Sequence, residues 1–234
     1  APLGALVKSK DAQGEVDEIR ILHDGSCRRL EDFPINPKIR VRDQVASPSA
    51  KDLKRLLRAQ AAAGDRLFGL TADVKSAHRL VAVHEDDWPL LACAAGDDDS
   101  VYLNRVGTFG ISSAGYHWDR LFGLIARLLH MGLGPHFRFW LMLLADDMKL
   151  ETGGRRPDNL LLAALWYLVV LGVPLKWTKV AGGVVFAWVG FELLLAELAL
   201  GISVSRAAWL ANWLEGLDRD GVVGMGHFRE ALGR

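Results

Sequence analysis

The sequence predicts an α+β fold, an antiparallel sheet with helices packed on one face. Three observations predict it. Short apolar runs of strand length are interleaved with longer segments at helical spacing. Their order shows no regular strand–helix–strand rhythm, which argues against a doubly wound parallel sheet. Half of the 234 residues are apolar, enough for one substantial domain with its own core.

Taken in order, EIRILHD (18–24) alternates and runs into GSC, as a strand ending in a turn does. FPINPKIRVRD, with two prolines, reads as loop. SPSAKDLKRLLRAQAAAG opens on a capping-type serine, carries leucines at helical spacing and stops at Gly64; it is a helix. RLFGLTADVKSAHRLVAVHEDD gives a strand through Leu70 to Val74, a turn, and a second short strand at LVAV (80–83). GDDDSVY is a solvated turn between strands, its aspartates pointing to water. SSAGYHWDRLFGLIARLLHMGLG is a helix with one apolar face and a Gly-rich stop. FRFWLMLLADDMKLETG reads as two strands joined at Ala145–Asp147, and RPDNLLLAALWYLVVLG as a helix starting near Pro157 or Asp158. VVFAWVGFELLLAELALGIS supplies further strands with bends at Gly190 and Gly201; SRAAWLANWLEGLDRDG and HFREALG are the last helices.

Composition excludes several classes. With 28 basic and 28 acidic residues, the overall field does not favour a polyanion. The balance is uneven along the chain, 12 Lys/Arg against 9 Asp/Glu in residues 1–60 and 4 against 8 in 61–110, so a basic front precedes an acidic centre. Cys27 and Cys93 have no CxxC or Cys/His spacing, which argues against structural zinc or a disulfide framework and for two reduced thiols in an intracellular, cytoplasmic or nuclear protein. The longest apolar run, residues 160–173, is 14 residues long. A membrane span needs about 20. That run reads as a buried helix, and no signal peptide is visible, so no membrane partner is expected.

The chemistry concentrates at LMLLADDMKL (141–150), where Asp146 and Asp147 interrupt an apolar run. Burying adjacent carboxylates is costly without a compensating charge. Asp73, in FGLTADVKSAH, likewise follows an apolar strand and precedes a turn. From spacing alone the simpler reading is two unrelated turns. If the strand ends converge, the acids repel one another unless cations neutralise them; a divalent pair would do so and would also bind phosphate oxygens.

The surrounding motifs shift the balance. DVKSAHRLVAVHEDDWPLLA, VGTFGISSAGYHWDRLFG, LLADDMKL, GVPLKWTKV and FAWVGFEL, in this order and preceded by EIRILHDGS, resemble the successive motifs of reverse transcriptases, especially those of gypsy-like and tyrosine-recombinase (DIRS-like) retroelements. The resemblance runs from about residue 18 to about residue 232. It implies a right-hand polymerase fold, with fingers in 1–62 and 83–108, palm in 63–82 and 109–202, and the beginning of a helical thumb in 203–234.

The resemblance further implies an RNA-directed DNA polymerase that works by two-metal nucleotidyl transfer. Asp73, Asp146 and Asp147 match the catalytic carboxylates, which with the backbone carbonyl of Val74 would hold two Mg2+ ions, Mn2+ being a possible substitute. Arg20, His78, Phe109, Gly110 and Lys179 match positions around the incoming nucleotide. Ser112, Ser113, Trp188, Val189, Gly190 and Phe191 match positions that touch template and primer. The implied partners are a primed RNA or DNA template and deoxynucleoside triphosphates.

Three positions depart from the family pattern. Leu144–Ala145 replaces an aromatic and a small or apolar residue, Gly115 a common proline, and His78 the Tyr or Phe that packs under the sugar. Two rivals stand beside this reading: a weakened or repurposed reverse-transcriptase-like domain that only binds nucleic acid, to which these departures point, and an RNA-dependent RNA polymerase of the same palm fold, which shares paired aspartates on a hairpin. A hydrolase nucleophile elbow is rejected, because GISSA lacks the second glycine of that motif.

Overall fold

The computed structural model describes residues 3–26, 34–94 and 100–233, without the side chains of residues 220 and 230–233. In chain order its elements are β1 (Leu3–Lys10), β2 (Val16–His23), α1 (Ala50–Ala63), β3 (Leu67–Asp73), β4 (Ala92–Ala94), β5 (Val101–Leu103), α2 (Ser112–Leu133), β6 (Arg138–Leu144) and β7 (Asp147–Gly153). There follow α3 (Pro157–Val170), β8 (Ala181–Gly183), β9 (Val185–Trp188), β10 (Phe191–Leu194), β11 (Ala199–Ile202), α4 (Val204–Asp220) and α5 (Met225–Gly233). The chain divides into two compact units, one of Ala1–Ser47 and Val74–Leu128, the other of Pro48–Asp73 and Leu129–Arg234.

The second unit is built on a four-stranded antiparallel sheet in the order β6-β7-β3-β8. β7 lies between β6 and β3, so both edges of its backbone are satisfied. Side chains alternate across it. Met148 and Leu150 are fully buried, and α3, which packs on β3 and β7, buries Leu161, Ala164 and Leu168. Burying each leucine-sized side chain contributes about 1.5–3 kcal/mol. The last turn of α2 adds buried Leu129, and the ring of His130 lies 4.8 Å from that of Phe139 in β6.

The opposite strand face carries Asp147, which is exposed, and Lys149 and Glu151, which are covered. α1 begins with a capping box between Ser49 and Asp52 and ends on a left-handed Gly64. Its Leu53 and Leu57 join Phe186, Trp188, Leu193 and Leu195 in an apolar cluster with the three-stranded sheet β9-β10-β11. Gly69 makes room here: a Cβ at this position would stand 2.3 Å from the Phe186 ring.

In the first unit β1 and β2 form an antiparallel hairpin, and β4 pairs with β5. The loop residue Asn36 organises what lies between. Its amide nitrogen donates to Ser26 Oγ (2.9 Å) and to the Gly110 carbonyl (2.7 Å), and its Oδ1 accepts from the Ser112 backbone N–H (2.9 Å), the first amide of α2. Gly110 is in the left-handed region, φ 92°, and a Cβ there would fall 1.7 Å from the His23 carbonyl oxygen. Backbone cannot yield as a side-chain tip can. Gly110→Ala is therefore expected to cost about 3 kcal/mol or more, strain and overpacking together. Chemical denaturation measures this, and a loss under about 1 kcal/mol would show that this contact is not rigid.

The structure departs from the sequence expectations at strand edges. LVAV is not a strand: Ala77–Leu80 is a 3-10 turn, and only Ala82 makes an isolated bridge, to Val106. The strand expected through Leu70 to Val74 runs Leu67–Asp73. β1 and β8 were not expected, since neither LGALVKSK nor AGG carries clear alternation. Cys93 is a buried free thiol; Cys27 and the aspartates of GDDDSVY lie outside the described residues. Among the described residues no helix is long and apolar enough to cross a membrane.

Candidate active site

In the second unit, strand pairing brings two of the three aspartates face to face. Asp73 ends β3, Asp147 begins β7, and the two are direct partners in the antiparallel register. Leu144 pairs with Asp147 across β6–β7, so the connecting loop is only Ala145–Asp146. Ala145 closes it with φ 51°, the left-handed region that a Cβ disfavours. A strained residue at a tight turn is held there by its surroundings. Asp147 thus belongs to the strand rather than to the turn.

Asp73 is 7% exposed. Its Oδ2 accepts from Lys179 Nζ at 2.5 Å, and its backbone carbonyl accepts from the Lys176 N–H at 2.8 Å. Its Oδ1 is buried with no hydrogen-bond partner, a costly arrangement for a carboxylate. Desolvation raises the Asp147 carboxyl above the ordinary range, the charges of Asp146 and Asp73 add to that, and Lys179 opposes them. The bond to Asp73 in turn raises the Lys179 ammonium, with Asp147 and Asp146 adding to it. One cation therefore answers three acids.

This donor set suits a hard divalent cation, and the unpartnered Oδ1 of Asp73 is a free oxygen ligand. Among the described residues no three His, Cys, Asp or Glu side chains, Asp73, Asp146 and Asp147 included, are grouped so as to hold a metal ion by themselves. Magnesium does not require such a group, since it is commonly bound by one or two carboxylates together with water and substrate phosphates.

The raised Asp147 sets a pH dependence. Its folded pKa lies above the unfolded value of 3.8, so the ionised form costs stability at neutral pH, and that cost vanishes as pH falls through the folded pKa to below 3.8. Asp147→Asn is expected to match or exceed wild-type stability at neutral pH, with the difference closing on acidification. Urea unfolding of variant and wild type at a series of pH values reads this out; a variant clearly less stable than wild type at neutral pH would contradict it.

Val74, buried, follows Asp73 directly in the chain but belongs to the first unit. That unit gathers another group of the expected residues. The Arg20 guanidinium lies over the Phe109 ring, 4.3 Å from its centroid, and the His78 ring is 4.8 Å from the same ring. Phe109 is anchored by the His23 N–H donating to its carbonyl (2.9 Å), and Gly110 follows against His23. Arg20 Nε is buried without a hydrogen-bond partner. Ser112 and Ser113 open α2, and Ser113 lines a cavity of about 660 Å3 with Lys38, Arg40, His84 and His117.

In the second unit Trp188 and Phe191 are paired across the β9–β10 hairpin, whose turn is Val189–Gly190 with φ 48° and 80°. Two positive φ values define the turn type that suits hairpin twist, yet a β-branched valine is strained there.

Sequence reasoning missed Gln60, Lys149 and Glu151, which form a buried polar network under this hairpin, and Asn36. The alternation in DMKLETG signals a solvent face, and a loop asparagine carries no signal for contacts 74 and 76 residues away.

No protein-family model and no curated protein matches the chain. Solved structures do. A foamy viral protease–reverse transcriptase in complex with double-stranded DNA superposes with a TM-score of 0.67 over 98% of this chain, at 10% identity and over 36% of its own length. The fold is similar to that of reverse transcriptases. Telomerases share it. The Candida albicans enzyme in complex with a fragment of telomeric RNA gives 0.51 at 13% identity, covering 68% of this chain and 34% of its own. Apo telomerase from Candida tropicalis, truncated of its C-terminal domain, gives 0.52 at 11% identity, covering 68% and 40%. The chain thus spans roughly a third to two fifths of the structures it matches. At such identities the likeness concerns fold, and function has to be argued from the site.

Proposed function

We propose that the chain is the polymerase core of a reverse transcriptase from a gypsy-like or DIRS-like retroelement, extending a primer on an RNA or DNA template with deoxynucleoside triphosphates. The observation that carries this reading is Asp73 placed opposite Asp147 at the sheet end, with Asp146 in the adjoining two-residue loop. In this reading residues 63–82 and 109–202 form the palm, 1–62 and 83–108 the fingers, and 203–234 the start of the thumb.

Asp73, Asp146, Asp147 and the Val74 carbonyl would hold two magnesium ions. When bound, these supply Lewis-acid activation of the primer hydroxyl and charge stabilisation at the leaving pyrophosphate. The protein's own residues do the rest. Lys179 neutralises Asp73 and stands ready as a donor to a phosphate oxygen. Arg20, fixed on Phe109, offers planar donors to the triphosphate. His78, against the same ring, takes the position under the sugar, where a histidine can block the 2′-hydroxyl or hydrogen-bond it, so the choice between deoxy- and ribonucleotides turns on this residue. Trp188 to Phe191 hold the primer end, and Ser112 and Ser113 the template side.

Primer extension on primed RNA and DNA, with deoxy- and ribonucleotides in turn, tests this. Magnesium-dependent deoxynucleotide incorporation is expected from the wild type and not from Asp146→Asn. Equal background extension by both would leave a nucleic-acid-binding domain without polymerase activity. Ribonucleotide preference would assign an RNA-dependent RNA polymerase instead.

A further inference from the structure

Two residues beyond Asp147 on the same strand face, Lys149 is 1% exposed and Glu151 is fully buried. Lys149 Nζ donates to Glu151 Oε1 at 2.6 Å, and the Gln60 amide of α1 donates to Glu151 Oε2 at 2.6 Å. The same ammonium lies 5.9 Å from the centroid of the Trp188 ring, within cation–π range. Trp188 is 4% exposed and immediately precedes the strained Val189–Gly190 turn. The pair therefore ties together a helix, the strand that begins with Asp147, and the β9–β10 hairpin.

A buried ion pair adds little net stability over apolar side chains of similar volume. What it adds is direction. Glu151 is held from two sides, which fixes the ammonium, and an ammonium prefers the ring face, which fixes the indole plane. Apolar packing holds the ring by shape; the ammonium adds an electrostatic preference for one ring face. We propose that Lys149 is a positioning residue: held by Glu151 and Gln60, it sets the Trp188 indole and thereby the placement of the Val189–Gly190 turn relative to the strand of Asp147. Its effect on a primer end rests on the reading given under Proposed function; its effect on the hairpin does not.

The test uses the full chain with both charges removed, Lys149→Met with Glu151→Met, so that no lone charge is left buried. Hydrogen exchange of residues 185–194 reports the hairpin. Anisotropy of a labelled primed duplex and the KM for deoxynucleotide report function. The double variant is expected to keep its fold, exchange about tenfold faster across the turn and bind the primed duplex about tenfold more weakly, with the nucleotide KM unchanged. Lys149→Arg, which keeps the charge, is expected to stay near wild type on all three. A folded double variant with wild-type hairpin exchange would overturn the proposal. If it does not fold, Trp188→Phe carries the test, because it keeps a ring but weakens the cation–π contact; unchanged exchange there also overturns it. If the wild type binds no primed duplex, the polymerase reading falls, and hairpin exchange alone still decides the positioning role.

Discussion

Asp73→Asn is expected, on the polymerase reading proposed above, to lower primer extension by about 10^2- to 10^4-fold, because a carboxylate that held a metal there would supply several kcal/mol of charge stabilisation and each ~1.4 kcal/mol is a factor of ten. The melting temperature is expected to change little. The lost ion pair has Lys179 as its partner, whose side chain is 55% exposed, and water readily solvates it when the carboxylate is gone. Asparagine also keeps an oxygen for that ammonium. Extension rates and thermal unfolding of the same preparation separate the possibilities. Full activity in the variant would remove Asp73 from the site; lost activity with a large drop in melting temperature would make it a folding residue.

Lys149→Met alone is expected to destabilise the protein by about 3–5 kcal/mol, the usual cost of leaving one partner of a buried pair uncompensated. Glu151 would be left fully buried with the Gln60 amide as its hydrogen-bond donor. Burial already pulls the Lys149 ammonium below its ordinary range, and Glu151 opposes that pull, so each charge makes the other tolerable. Adding Glu151→Met should restore most of the loss. Urea unfolding of wild type, single and double variants forms the cycle. If the single variant costs as little as an ordinary surface change, the pair is not the closed unit its distances describe.

Much of the candidate site was legible in local sequence. Apolar strands beside Asp73 and Asp146–Asp147 could be read from composition and turn residues, the first expected to run on to Val74 where it ends at Asp73; that the three acids share a site came from motif resemblance alone. The structure shifts the detail by one residue, placing Asp147 in the strand and only Ala145–Asp146 in the loop. Arg20, His78, Phe109 and Gly110 were named by motif resemblance, and the first unit sets two of them, Arg20 and His78, against the ring of the third, Phe109. The edge strands were harder. β8 is three residues of alanine and glycine, and β1 is mostly exposed, so neither has a hydrophobic pattern of its own. Their pairing is decided by the strands beside them.

The polar face of β7 separates what sequence alone determines from what it does not. Alternation determines that Asp147, Lys149 and Glu151 share one face and that Met148 and Leu150 share the other, because successive side chains of a strand point in opposite directions. It does not determine which face meets water. By pattern the charged face belongs outside; Asp147 at its end is exposed, but the tertiary structure buries Lys149 and Glu151 under α1 and the β9–β10 hairpin. That is possible only because Gln60, 91 residues upstream of Glu151, and Trp188 arrive to satisfy the charges. The same holds for Asp73 and Asp147: a chain can place an acid at the end of each strand, but only the antiparallel register sets them opposite one another, where mutual repulsion calls for a cation.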